Sequence, residues 1–426
     1  MIIQHAYFTS ANIKGMFQFS RRTFLAGSAA FAFRAQAVAR SPITNKWGEA
    51  KTSVLELKKI CVFRGRPGGA YNHHQQILFH EGRLYASWSN GIANEDHPGQ
   101  HMVFAVSDDD GDTWSPETTI TPPPPEKTST FTAMGICAHR GLLIAYYGHY
   151  GYNDVYVDQN GLVKAGEIPG HRRDPDIWVH RDTYSEVRVS KNRGTSWDTP
   201  IRFMDKFVPN LRPFPLHNGR LLITGNITFP HTEDPFGVKH WKTAGLPRLP
   251  KWTVDDPEGF HKACYERKDP WNYCEASFFQ TDDGKIHMML RTTPLPGDTH
   301  NGLLAVTESA DNGATWSEPM LTAYTDCSCR FQFGRLPDGR YFGLSCPKPR
   351  SSRTPMVLAT SRDGVAFDRH YIVGNDPATK PRLPGLAKGG IYGYPSCDIA
   401  NGKMYIIFSR CKEDIYFTKL DLKALS

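Results

Sequence analysis

Apolar residues along this chain fall in short runs broken by tight polar turns, without the three-to-four spacing that a long amphipathic helix requires. Six times an apolar run, a two-residue turn ending in Gly and a second apolar run follow one another: ILFHEGRLYASWS, ICAHRGLLIAYYG, FPLHNGRLLITGN, SFFQTDDGKIHMML, FGRLPDGRYFGLS and CDIANGKMYIIFS. Asn-Gly and Asp-Gly between apolar runs signal a hairpin, because Gly accepts the positive φ of the turn. The turn glycines, from Gly82 to Gly402, are spaced by 64 residues on average. A repeat of that length without helices predicts an all-β chain, a β-propeller of four-stranded antiparallel sheets. The direct count is six blades, and a seventh would have to come from residues 227–272 or 41–60.

A second repeat lies in the outer half of the units. Ser107-Asp108-Asp109-Asp110-Gly111-Asp112-Thr113-Trp114 and Ser309-Ala310-Asp311-Asn312-Gly313-Ala314-Thr315-Trp316 share the spacing S-x-D-x-G-x-T-W, each box starting 25 residues after its hairpin glycine. Ser190–Trp197 and Ser361–Gly364 with Phe367 are degenerate copies. These boxes resemble the Asp boxes of the sialidase (neuraminidase) superfamily, and with the hairpins the resemblance covers roughly residues 60–420. They are expected to be scaffold, with Asp109 and Asp311 accepting backbone N–H bonds and the Trp packing on a neighbouring strand.

Composition sharpens this reading. With 426 residues, 39% of them hydrophobic, the chain can build a large core, and 37 Gly with 31 Pro suit a turn-rich β-protein. The formal charge of +7 suggests a nucleic-acid binder only until its location is noted. Residues 1–39 hold no Asp or Glu but carry Lys14, Arg21, Arg22 and Arg34, leaving the remainder nearly balanced, with no basic stripe to track phosphates. That segment, Ser20-Arg21-Arg22-Thr23-Phe24-Leu25 followed by a short apolar run and small residues, resembles a twin-arginine export signal. The expected organisation is therefore a signal peptide over 1–39, cleaved near Ala37 or Ala39, a linker or closing strand over 40–60, and the propeller over 61–426. The apolar run is too short to span a bilayer. The implied location is periplasmic or extracellular, with the twin-arginine translocon as a partner during export. The nine cysteines are odd in number and scattered, so they read as buried small hydrophobes. Cys327-Ser328-Cys329 lacks a second pair at zinc-ligand spacing. No metal, cofactor, nucleotide or membrane span is expected.

If each hairpin supplies the inner strands of a blade, the starts of the first strands and the ends of the second converge on one face beside the axis. This gathers Asn72, His73, His74, Asn90, His149, Arg212, Tyr273, Glu275, Arg291, Arg330 and Tyr394. So many polar groups beside apolar strands imply a wet or ligand-filled pocket. The sialidase resemblance assigns roles: Glu275 and Arg291 stand where the family has its Glu and second Arg, Arg353 where it has the third, Tyr394 at the nucleophile, and Asp96 at the acid/base. Where the family has its first Arg, this chain has Tyr71-Asn72-His73-His74-Gln75. A histidine beside two arginines offers a near-neutral acid/base next to a carboxylate site. This first-blade pattern resembles propeller enzymes that cleave rhamnose–glucuronate linkages, including ulvan lyases and a histidine-dependent rhamnosidase family.

Consecutive strand residues point to opposite faces, so one of His73 and His74 is expected at the axis. The alternatives are a plain ion pair for Arg291 and Glu275 and a core-capping hydroxyl for Tyr394. His149 stacks on a sugar or in the core. Tyr273 is a further catalytic candidate, and Arg267, in the long loop before Asn272, is a spare carboxylate ligand. The expected activity is cleavage of a linkage in an acidic oligo- or polysaccharide, uronate-containing, by a lyase- or rhamnosidase-like reaction. An exo-α-sialidase and a non-catalytic glycan-binding propeller are the alternatives.

Overall fold

The computed structural model describes residues 40–126, 129–151, 181–247, 272–293, 302–385 and 388–425. The signal-like segment and Arg267 lie outside them. Among the described residues no helix is long and apolar enough to cross a membrane, and the single helical element is the 3₁₀ turn Leu422–Ala424.

Every predicted hairpin is present. Tyr71–His80 pairs with Arg83–Gly91, Ser129–His139 with Leu142–Gly151, Phe214–Pro215 with Leu221–Leu222, Asn272–Gln280 with Ile286–Thr293, Gln332–Arg335 with Tyr341–Ser345, and Gly393–Ala400 with Lys403–Arg410. The turn at Gly82 has φ 78°, a region where a side chain is strained and Gly is not. In each sheet the first strand of the hairpin is the terminal one, nearest the axis, and further strands extend outwards.

Uniform four-stranded antiparallel sheets are corrected in three of the six sheets described. The sheet around Gly219 has only three strands, two of them Phe214–Pro215 and Leu221–Leu222. Pro213 and Pro215 have no N–H to donate, which shortens the ladder. Two other sheets gain a fifth, parallel strand from the N-terminal side, Arg40–Thr44 beside Met320–Thr325 and Lys51–Val54 beside Arg369–Gly374. A third piece, Ile60–Phe63, pairs antiparallel with Asp414–Asp421 as the outer strand of the last sheet. Residues 41–60 therefore do not build a sheet of their own.

Each consecutive pair of sheets shares one apolar core, and the last sheet packs on the first, Tyr405, Ile407 and Phe417 against Ile77, Leu84 and Trp88. The ring is closed, as in a β-propeller.

The boxes behave as scaffold. Asp109 accepts from Ser107 Oγ at 2.8 Å, Thr113 N at 2.9 Å and Thr113 Oγ1 at 2.6 Å, and Asp311 repeats the pattern with Ser309 and Thr315. These donors hold the Asp109 carboxyl down at about 2. Trp114 meets Phe417 at 5.4 Å and Trp316 meets Phe229 at 4.9 Å, so each box pins its sheet to a neighbour. Gly111 has φ 90°, and a Cβ there would lie 2.2 Å from the Phe417 ring.

Candidate active site

The innermost strands are sheet edges, whose open backbone groups need partners. Polar side chains supply them. Arg330, 1% exposed, donates to Asn210 O at 2.6 Å and Gln75 O at 3.1 Å. Gln75 donates to the carbonyls of Gly393 and Tyr394, and Gln332 bonds both backbone groups of Cys397. Arg212 is held by Asp398 at 2.5 Å and Ile77 O at 3.1 Å. Asn72 spends all its capacity internally, donating to Gly69 O and Glu413 O and accepting from Trp88 Nε1 and Asn90 Nδ2. The expectation that Asn72 and Arg212 face a ligand is thus corrected, since main chain and neighbouring side chains occupy them, while Asn90 gives its Nδ2 to Asn72. Two further placements differ. Tyr273 packs in the core with Ala276 and Leu290. His149 bonds Asp182 O at 2.9 Å and stacks on Tyr184 at 4.3 Å.

The remaining candidates converge on Tyr394. Its hydroxyl donates to Glu275, which also pairs with Arg291; Arg291 Nη1 lies 3.3 Å from that hydroxyl and Nε donates to Ser328 Oγ at 3.1 Å. The guanidinium carbons of Arg330 and Arg353 stand 4.8 and 5.2 Å from the Tyr394 ring centre. Arg353 Nη1 is buried without a hydrogen-bond partner. Burial, reinforced by the Glu275 carboxylate, raises the Tyr394 hydroxyl well above its usual pKa.

Both histidines join this group, which corrects the expectation of one. The strand pairing slips between His73 and Gln76, and His74 takes φ 58°, so the alternation of faces breaks at a β-bulge. The rings lie 4.9 Å apart, and that of His73 is 4.0 Å from Tyr394. Equivalent slips with positive φ occur at Ala133, Glu275 and Tyr394, so four innermost strands turn a residue at the same level of the ring. The near-neutral pKa is also corrected. Burial lowers His74 to about 3 and puts His73 well below its usual value, with the Lys412 charge adding to the effect on His73. Both imidazoles are neutral at pH 7. His73 Nδ1 is 2.8 Å from Ser409 Oγ, and its Nε2 is buried without a partner.

Two residues, Glu95 and Lys412, were not among the sequence candidates. Glu95 accepts both oxygens' bonds from Lys412 at 2.6 Å, and Tyr71 donates to it at 3.3 Å. Burial opposes its charge, but Lys412 and the neighbouring groups prevail and hold the carboxyl at about 2. Tyr150 lies near enough to Asp96 and Glu275 for both to act on its hydroxyl. A carboxylate beside the chosen Asp96 was the only sequence signal for Glu95; Lys412 had none. His73, His74 and Glu95 bring one ligand atom each within 4.8 Å, but Lys412 already supplies the cation there. Asp96 itself accepts from Thr132 and from Gln100 at 3.3 Å. Burial first, then the Glu95 charge, raise it to about 6.

The BNR repeat-like domain family matches residues 82–406. No curated protein matches the chain. Among solved structures, a protein of unknown function from Dyadobacter fermentans is 13% identical, with TM-score 0.56, covering 85% of this chain and 98% of its own. The NanB sialidase of Streptococcus pneumoniae is 15% identical, with TM-score 0.58, over 86% of this chain and 71% of its own. A Trypanosoma rangeli sialidase is 14% identical, with TM-score 0.57, over 87% and 61%. These likenesses concern the fold.

Proposed function

Because this chain belongs to the BNR repeat-like domain family, we propose that it is a glycan-cleaving enzyme acting on an acidic sugar. The observation that carries this reading is the Tyr394 hydroxyl bonded to Glu275 between the Arg291 and Arg353 guanidiniums. A hydroxyl on a carboxylate is an activated nucleophile, and guanidiniums receive a carboxylate. Glu275 takes the Tyr394 proton as the phenolic oxygen attacks the anomeric carbon, and protonated Asp96 gives a proton to the departing glycosidic oxygen. Water then cleaves the tyrosyl intermediate. Arg353, whose Nη1 has no protein partner, grips the substrate carboxylate. Neutral imidazoles stand where the sialidase family has its first Arg, and this departure is the ground for reading the substrate as a uronate-containing oligosaccharide rather than a sialoside.

One observation favours a second reading. The unpartnered Nε2 of neutral His73, beside Tyr394, suits removal of the C5 proton of a uronate whose charge Arg353 neutralises, the C4–O4 bond breaking as the C4–C5 double bond forms and the Tyr394 hydroxyl protonating the departing oxygen. Incubation with a rhamnose–glucuronate oligosaccharide and with a fluorogenic sialoside tests these readings. Free sugar without new ultraviolet absorbance supports hydrolysis, a C4–C5 double bond supports elimination, and inertness towards both substrates overturns the enzyme proposal. Export through the twin-arginine translocon belongs to the same proposal, and N-terminal sequencing of the mature protein checks cleavage at Ala37 or Ala39.

Two expected results follow. Arg353→Ala raises KM at least ~10-fold, since a desolvated charged contact is worth about 1.5–3 kcal/mol, as read from initial rates. The Asp96 proton donor makes kcat/KM fall as pH rises through about 6, as a rate profile on the oligosaccharide shows. The sign for stability is the same: a raised carboxyl favours the fold fully below its unfolded value, and that contribution is lost as pH climbs through about 6.

A further inference from the structure

Cys327, Cys329 and Cys346 put three sulfurs within 4.8 Å of one another, at the back of the loop that carries Ser328 and Arg330. We propose that these three thiols form an all-sulfur site for a soft cation, with monovalent copper as its best-fitting occupant. Sulfur ligands without imidazole or carboxylate select soft ions, and three of them match a trigonal site. Metal–sulfur bonds near 2.3 Å put sulfurs about 4 Å apart in such a site, so a contraction of under ~1 Å suffices.

The surroundings hold the three sulfurs in place and leave one side open. Cys329 and Cys346 are fully buried and Cys327 half-buried, which gives an ion one side of access. The Tyr394 N–H points at Cys329 Sγ at 3.3 Å, an outer-shell donor of the kind that tunes metal thiolates. The Arg353 guanidinium acts on Cys329 and offsets part of the negative charge that thiolates bring. The protonated thiols have carbonyl acceptors, Cys346 at 3.5 Å from Tyr392 O and 3.6 Å from Arg353 O. Binding therefore exchanges S–H protons for the ion, and affinity rises with pH. All eight described cysteines are free, so no described disulfide competes.

The test uses the full chain, reduced and titrated anaerobically with Cu(I) against a competing chelator. The expected result is one tightly held ion per chain with sulfur-to-metal ultraviolet absorption, an affinity at least tenfold weaker in Cys346→Ser and Cys327→Ser, and no change in Cys397→Ser. Cys327→Ser, at the half-buried position, keeps the test sound should Cys346→Ser fail to fold. No binding by the reduced protein, equal binding by Cys327→Ser, or a thiol count showing two of the three already joined as a disulfide overturns the site.

Discussion

Tyr394→Phe is expected to lower kcat by ~10³-fold or more while the thermal midpoint barely moves, because a nucleophile and its proton transfer vanish together. The Phe ring keeps the contacts that place it, with His73 at 4.0 Å and the Arg330 and Arg353 guanidiniums at 4.8 and 5.2 Å. Glu275 keeps its Arg291 partner, so no buried carboxylate is stranded. KM should stay within a few-fold, since the carboxylate contacts are untouched, and single-turnover kinetics on the acidic oligosaccharide would show the loss in the chemical step. Retained turnover would remove Tyr394 from the reaction and shift it to His73, and His73→Ala would then be the variant that stops double-bond formation.

The largest expected loss of stability lies deeper. Arg212→Met should cost about 3–5 kcal/mol, because it leaves Asp398 buried without its ion partner. The pair is 10% and 15% exposed, and the same guanidinium donates to Ile77 O, so one side chain ties the first, third and last sheets together. A denaturant midpoint measures the loss. Asp398→Asn in the Arg212→Met background should restore part of it, since the charge goes while an oxygen remains for Phe79 N, now 2.7 Å away. The folded fraction should turn over substrate normally. An Arg212→Met protein of full stability and raised KM would instead return Arg212 to the binding site.

The hairpins and boxes were legible because their information is local: Gly82 serves its own turn, and Asp109 satisfies donors within four residues. Lys51–Val54 was not, since a four-residue strand exposed at every position has no apolar alternation to betray it. The convergence of Tyr394, Glu275 and Arg291 followed from ring topology, and Arg353 joined them through the sialidase resemblance. What escaped was the backbone detail that sets direction. The alternation rule separates His73 from His74, and only the bulge with positive φ at a histidine reunites them. Equally, nothing in Asn94-Glu95-Asp96 says which acid meets Lys412, more than 300 residues away. Nor does the Cys327-Ser328-Cys329 spacing announce that Cys346, just past the strand Tyr341–Ser345, completes the group.

The outermost strand Ile60–Phe63 lies against Asp414–Asp421, and its upstream neighbours serve the two preceding sheets. During synthesis Ile60–Phe63 must therefore wait, unpaired, until nearly the whole chain has emerged. The ring can be latched only at the last step, so assembly should be slow and its final stage cooperative, as expected where contacts span most of the polypeptide. Weakening that latch, for instance by a proline at Cys61, would open every neighbouring interface in turn rather than fray one end.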